Sequence, residues 1–161
     1  MKETKRLQFI SNKSNDDLNQ LWKNCFDGEL NDNFMHAHIP PLYRVPNKNK
    51  LTQFLRSDGT WLIKSKINED IIGFALHGDF LPGLPNNIGF NIGRDYARNG
   101  YAKETLSELL EYVKNTGLTE TFGHCLDSNV GSIKTVEACG FDNLGTTGEQ
   151  FNGKHYLKFR K

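Results

Sequence analysis

Several things are scarce in this chain of 161 residues, and each scarcity excludes something. Cysteine appears three times, at Cys25, Cys125 and Cys139. An odd count cannot pair off, and the spacing suits neither a zinc knuckle nor a CxxC redox pair, so reduced thiols in a cytosolic protein are expected. Charge of one sign is also lacking: 20 Lys and Arg stand against 19 Asp and Glu, a formal net charge of +1. A protein that grips nucleic acid along its backbone shows a basic excess, and none exists here, so no direct nucleic-acid binding is expected. Long apolar runs are missing as well. The opening MKETKRLQFISNK holds no stretch of signal-peptide length, and no segment approaches a membrane span. No repeat, low-complexity tract or Ser/Gly linker divides the chain. A single domain over residues 1–161, soluble and cytoplasmic, is the expectation.

Periodicity supplies the elements. A strand over Lys5 to Ile10 precedes Ser14-Asn15-Asp16, residues suited to start a helix. In that helix Leu18, Leu21, Trp22 and Cys25 form one face. HIPPLYRVPNKNK is the most loop-like stretch. KNKLTQFLRS follows as a short helix with Leu51, Phe54 and Leu55 inward. TWLIKSKI and IIGFALHGDF read as a strand pair around Asn68-Glu69-Asp70, with Trp61, Ile63 and Ile67 alternating against Lys64 and Lys66. NIGFNIG sets Ile88, Phe90 and Ile92 against Gly89, Asn91 and Gly93, a bare strand face that marks a bulge or a close approach. Ala102, Leu106, Leu109, Leu110 and Val113 then define an amphipathic helix. Strand LTETFGHCL, helix SNVGSIKTVEACGF and a tail hairpin turning at Asn152-Gly153 complete a β-α-α-β-β-β-α-β-α-β-β order. The fold class is α/β, with a mixed twisted sheet of about six to seven strands and helices on both faces.

The chemistry concentrates in GRDYARNGYAKETL. It is no Walker A loop, since Gly100 is followed by Tyr-Ala rather than Lys-Ser/Thr, and the region has no GxGxxG. It does suit a diphosphate seated on a helix N-terminus without a metal, with N–H groups from Asn99 to Ala102 donating, Gly100 allowing close approach and Arg98 adding charge. An ordinary strand-to-helix turn has the same appearance. His36 and His38 have metal-like spacing, but nothing nearby completes a ligand set, so no metal is expected.

The turn has company. NIGFNIGRDYARNGYAKETLSELLEYV resembles motif A of the GNAT superfamily of acetyl-CoA-dependent N-acetyltransferases, in which Arg/Gln-x-x-Gly-x-Gly/Ala follows a strand and opens the central helix. NVGSIKTVEACGF, Asn129 to Phe141, is similar to the family's second stretch, Asn-x-x-Ala/Ser followed by Glu-x-x-Gly-Phe. ETKRLQF and Ser132 resemble the RimJ/RimL-like branch, which acetylates ribosomal-protein N-termini. The likeness covers nearly the whole chain. Two positions depart from it: Ala97 stands where the family has Arg or Gln, and Val136 where many members have a Tyr that protonates the leaving thiolate.

The resemblance implies a GNAT-like fold binding acetyl-CoA as co-substrate and acetylating a primary amine, either a protein or peptide N-terminus or a small amine. It implies that the backbone of Asn91, Ile92 and Gly93 lines the pantetheine arm and offers an N–H to the thioester carbonyl. Arg98, Asn99, Gly100, Tyr101 and Ala102 form the diphosphate seat. Asn129 is a helix cap, a partner of the arm, or both. Ser132 is a donor to the sulfur or simply a first-turn serine. For the base, His77 and His124 suit by pKa, although a strand histidine is commonly structural; Glu149 and a water relay are further options. Cys125 is read as a packed strand residue. Asp32 to Lys50, with His36, His38, Tyr43, Arg44 and Lys48, is expected to shape the acceptor entrance. A monomer or homodimer is expected. The alternatives are a regulatory protein that holds acyl-CoA without turnover and an interaction domain with no cofactor.

Overall fold

The computed structural model describes residues 1–26, 48–79, 85–151 and 153–161. Seven strands form one mixed sheet in the order β1-β2-β3-β4-β5-β7-β6. They are β1 (Leu7–Ile10), β2 (Thr60–Ser65), β3 (Ile71–Gly78), β4 (Asn87–Ile92), β5 (Phe122–Leu126), β6 (Asp142–Phe151) and β7 (Lys154–Arg160). Among the described residues four α-helices accompany them: α1 (Asn15–Phe26), α2 (Lys48–Leu55), α3 (Tyr101–Asn115) and α4 (Val130–Ala138). The seven-stranded sheet with its helices has the α/β architecture that the alternating periodicities call for.

Local chemistry explains where the helices begin. Ser14 opens α1 with a reciprocal cap: its Oγ accepts from Asp17 N–H at 3.1 Å, while its own N–H donates to Asp17 Oδ2 at 2.9 Å. The helix then buries Leu18 and Leu21 against Leu62, Phe74 and Leu76 on one side of the sheet. The other side carries a larger core, where Leu106, Leu109 and Val113 of α3 and Val136 of α4 meet Trp61, Ile63, Ala75, Ile88 and Phe90. A leucine as enclosed as Leu109 contributes about 1.5–3 kcal/mol through burial. With both faces covered, β3 opens on an almost unbroken apolar run from Ile71 to Leu76.

One alternation fails. Ile67 is 70% exposed, because β2 ends at Ser65, whose N–H donates to Asp70 O, and Ile67 falls in the turn beyond it. The side chain of Leu51 and the turn residue Asn152 lie outside the described residues.

β4 leads into the connection that opens α3. Along its whole length it pairs antiparallel with β3, from Gly78↔Asn87 to Gly73↔Ile92. With β5 it pairs in parallel at Asn87↔Phe122 alone. Past that point the two parallel strands separate, and the gap opens towards the start of α3.

Candidate active site

The connection from β4 to α3 is short and tightly tied. A 3-10 turn (Arg94–Tyr96) leads into Arg98 at φ 64° and Gly100 at φ 78°. Left-handed backbone costs a residue with a Cβ about 1–2 kcal/mol, so an arginine held there must be fixed by its surroundings. Asn99 does the fixing: its Nδ2 donates to the carbonyls of Tyr96 and Ala97, each at 3.2 Å. The Asn99 amide is therefore part of the turn, and Asn99 itself does not line the cavity that the turn borders.

Gly100 is the N-cap of α3 and, having no side chain, gives the helix no capping bond. The first-turn N–H groups of a helix have no intrahelical acceptor. They open here onto a cavity of about 480 Å³. Its walls come from β4 (Phe90, Asn91, Ile92), the connection (Tyr96, Ala97, Arg98, Gly100), the first turn of α3 (Tyr101, Ala102, Lys103) and the first turns of α4 (Asn129, Gly131, Ser132, Lys134, Thr135). Among the described residues three cations, Arg98, Lys103 and Lys134, line it, and no carboxylate does. Helix dipole, free N–H groups and side-chain charge all favour an anion.

The structure thus brings together residues that the sequence spaces forty apart. Arg98, Gly100, Tyr101 and Ala102 share this cavity with Asn91, Ile92, Asn129 and Ser132. Lys103, Lys134, Tyr96 and Thr135 were not anticipated. Lys103 and Lys134 carried a usable signal, since each lies in the opening turns of a helix already suspected.

Strand register refines the backbone assignment. In an antiparallel pair, alternate residues direct both N–H and C=O to the same neighbour. Gly93 N–H donates to Ile72 O at 2.8 Å, and a Cβ on Gly73 would lie 2.0 Å from Asn91 O. Asn91 and Gly93 therefore face β3 with their backbone. Of the three expected groups, Ile92 is the one whose N–H and C=O turn into the gap beside β5. Gly93 is bare for a different reason: its Cβ would meet Asn24 O of α1 at 2.8 Å and Cys25 Sγ at 3.0 Å. The Asn91 side chain is half-buried, and its Oδ1 is enclosed without a hydrogen-bond partner.

Asn129 caps α4, its Oδ1 accepting from Ser132 N–H at 3.1 Å. Ser132 sits at a junction. It lines the large cavity and also a hollow of about 20 Å³ walled by Phe90, His124 and Val136. That hollow is large enough for one water. His124, half-buried on β5, has an enclosed Nε2 with no partner. Burial, helped by the nearby Lys158 charge, pushes its pKa down to about 4, so it is neutral at pH 7.

His77 stands elsewhere. It lines neither space, and its ring centroid lies 6.0 Å from that of Tyr112, near the far end of α3. Burial lowers its pKa while Asp79 pulls the other way. Cys125 is buried and its thiol is pushed up to about 12, chiefly by burial, which matches a packed strand residue. His36, His38, Tyr43 and Arg44 lie outside the described residues, as do the side chains of Lys48 and Glu149. Among the described residues no group of three His, Cys, Asp or Glu could hold a metal, and no helix is long and apolar enough to cross a membrane.

Comparison with known proteins adds three findings. Residues 12–142 match the family profile described as an acetyltransferase (GNAT) domain. No curated protein sequence matches the chain. Solved structures share the fold: a GNAT-family acetyltransferase from Bacillus anthracis superposes with a TM-score of 0.74 at 16% identity, over 98% of this chain and 94% of that one. An acetyltransferase from Agrobacterium tumefaciens str. C58 gives 0.73 at 15%, over 99% and 92%. A ribosomal-protein-alanine N-acetyltransferase from Brucella melitensis gives 0.71 at 19%, over 96% and 98%.

Proposed function

The chain belongs to the GNAT acetyltransferase family, and on that premise we propose that it transfers an acetyl group from acetyl-CoA to a primary amine. The observation that carries this reading is the uncapped start of α3, opening on a cavity lined, among the described residues, by three cations and no carboxylate. A diphosphate needs that environment. Each contact with a helix start contributes about 0.3–1 kcal/mol, so the several N–H groups from Gly100 to Lys103 act together with Arg98, Lys103 and Lys134.

Acetyl-CoA brings the activated acyl carbon; the chain's part is to place and polarise it. Ile92, whose backbone faces the gap, is positioned to line the arm and donate its N–H to the thioester oxygen, where negative charge develops. Ser132 Oγ is the proton donor for the departing sulfur, since Val136 is apolar and buried. Asn91 Oδ1, enclosed without a partner, suits orientation of the incoming amine. His124 borders the hollow beside Ser132, but with its pKa pushed down to about 4 it is too weak a base to hold the ammonium proton, which leaves through a water relay to solvent. His77 is given no role.

For the acceptor we favour a protein or peptide N-terminus over a small amine. Support comes from the RimJ/RimL-like features of the sequence and from the likeness to the Brucella N-acetyltransferase. The free thiols of Cys25, Cys125 and Cys139 suit a cytoplasmic setting.

Thiol release from acetyl-CoA, measured across a panel of peptides and small amines, tests the proposal. Turnover with at least one amine supports it. Binding without release across the panel would instead favour a regulatory acyl-CoA-binding protein, a reading to which the apolar Val136 lends weight.

A further inference from the structure

The first turn of α3 contains a contradiction. Glu104 puts a carboxylate four residues after Gly100, beside a seat that its neighbours prepare for an anion. Burial alone would raise its pKa, but hydrogen bonds from Thr4 and Arg6, with the Arg6 charge, hold it below the usual carboxylate range, so it stays ionised. An ionised carboxylate in that place repels a second negative group unless something neutralises it.

Arg6, just ahead of β1, makes contact with Asn99, Tyr101 and Glu104. Its Nε donates to Glu104 Oε2 at 2.7 Å, and its Nη2 lies 2.6 Å from the same oxygen. Its Nη1 donates to the Asn99 carbonyl at 2.9 Å. The guanidinium carbon sits 4.7 Å from the centroid of the Tyr101 ring, and a Cβ on Gly100 would lie 3.5 Å from Nη2. Thr4 completes the arrangement by donating its hydroxyl to the other Glu104 oxygen. Arg6 does not line the cavity; it grips residues 99 to 104 from behind.

We infer that Arg6 is a positioning residue for the diphosphate seat: it cancels the Glu104 charge and fixes the turn so that the α3 N–H groups face the ligand. This rests on the acetyl-CoA reading above. Lysine cannot replace it fully, because an ammonium keeps the charge and loses the planar fork that joins Glu104 to the Asn99 carbonyl.

The test compares two acyl donors, acetyl-CoA and S-acetyl-pantetheine, which lacks the diphosphate. Arg6→Met is expected to raise KM for acetyl-CoA about tenfold, with kcat and the use of S-acetyl-pantetheine changed less than about twofold. Arg6→Lys falls between, and carries the same test if Arg6→Met does not fold. Glu104→Gln added to Arg6→Met reverses part of that rise in KM, because the stranded charge is gone while the turn still lacks its tie to Arg6. Equal losses on both donors, an unchanged KM, or no recovery in the double variant each overturn the inference. Wild-type protein that fails to bind acetyl-CoA is a different result: it removes the proposed function itself.

Discussion

Two helices begin at the same cavity and begin differently. α4 is closed by its own sequence, Asn129 Oδ1 accepting the Ser132 N–H. α3 starts at a glycine with no capping side chain, after an arginine in left-handed backbone. A cap of the Asn type stabilises a helix by about 1 kcal/mol, so leaving α3 without one has a cost. On the proposed function the difference is a division of labour. α4 carries a side-chain cap of its own and offers Ser132. α3 lacks one and offers bare N–H groups.

Breaking the open start has the largest expected effect. Gly100→Glu places a carboxylate in the seat and a Cβ where φ is 78°. Acetyl-CoA affinity should fall by about a hundredfold or more, read by isothermal titration on protein whose circular dichroism is unchanged. Retained affinity would sink the assignment of that turn. Ser132→Ala removes what α4 presents: kcat should drop about 10- to 100-fold while KM for acetyl-CoA changes little. A fall in KM-type binding with kcat intact would recast Ser132 as a contact to the arm.

Closing in on the capped start gives a smaller effect, and one of another kind. Asn129→Ala should lower stability by about 1 kcal/mol in denaturant unfolding, with cofactor affinity altered less than about threefold. A large affinity loss would mean that Asn129 also holds the ligand. The smallest effect concerns acid stability. The folded His124 pKa of about 4 lies below its unfolded value near 6.5. Between these values the unfolded chain binds more protons, so stability rises with pH across that window and is lost on acidification through it. His124→Gln should flatten this part of the stability–pH curve; an unchanged slope would place the titration on another group.

Much of this was legible before any coordinates. The period of Leu106, Leu109 and Val113 marked α3, and glycine before it marked an open start. Asn129 three residues ahead of Ser132 marked the α4 cap. What the sequence withheld depends on register and distance along the chain. Whether Asn91 or Ile92 turns its backbone to the gap is decided by which residue of β3 lies opposite. His77 suits the base by pKa and by its place on a strand, but antiparallel pairing carries it to the end where Tyr112 sits. Nothing in the sequence pairs Arg6 with Glu104, ninety-eight residues on; only the folded sheet brings them together. Ile67 was misplaced because alternation says nothing about where a strand stops.

A crystal structure with coenzyme A bound tests the central claim most directly. The account predicts diphosphate oxygens within hydrogen-bonding distance of the N–H groups between Gly100 and Lys103, with Lys134 alongside. A diphosphate bound elsewhere, with the start of α3 left to solvent, would contradict it.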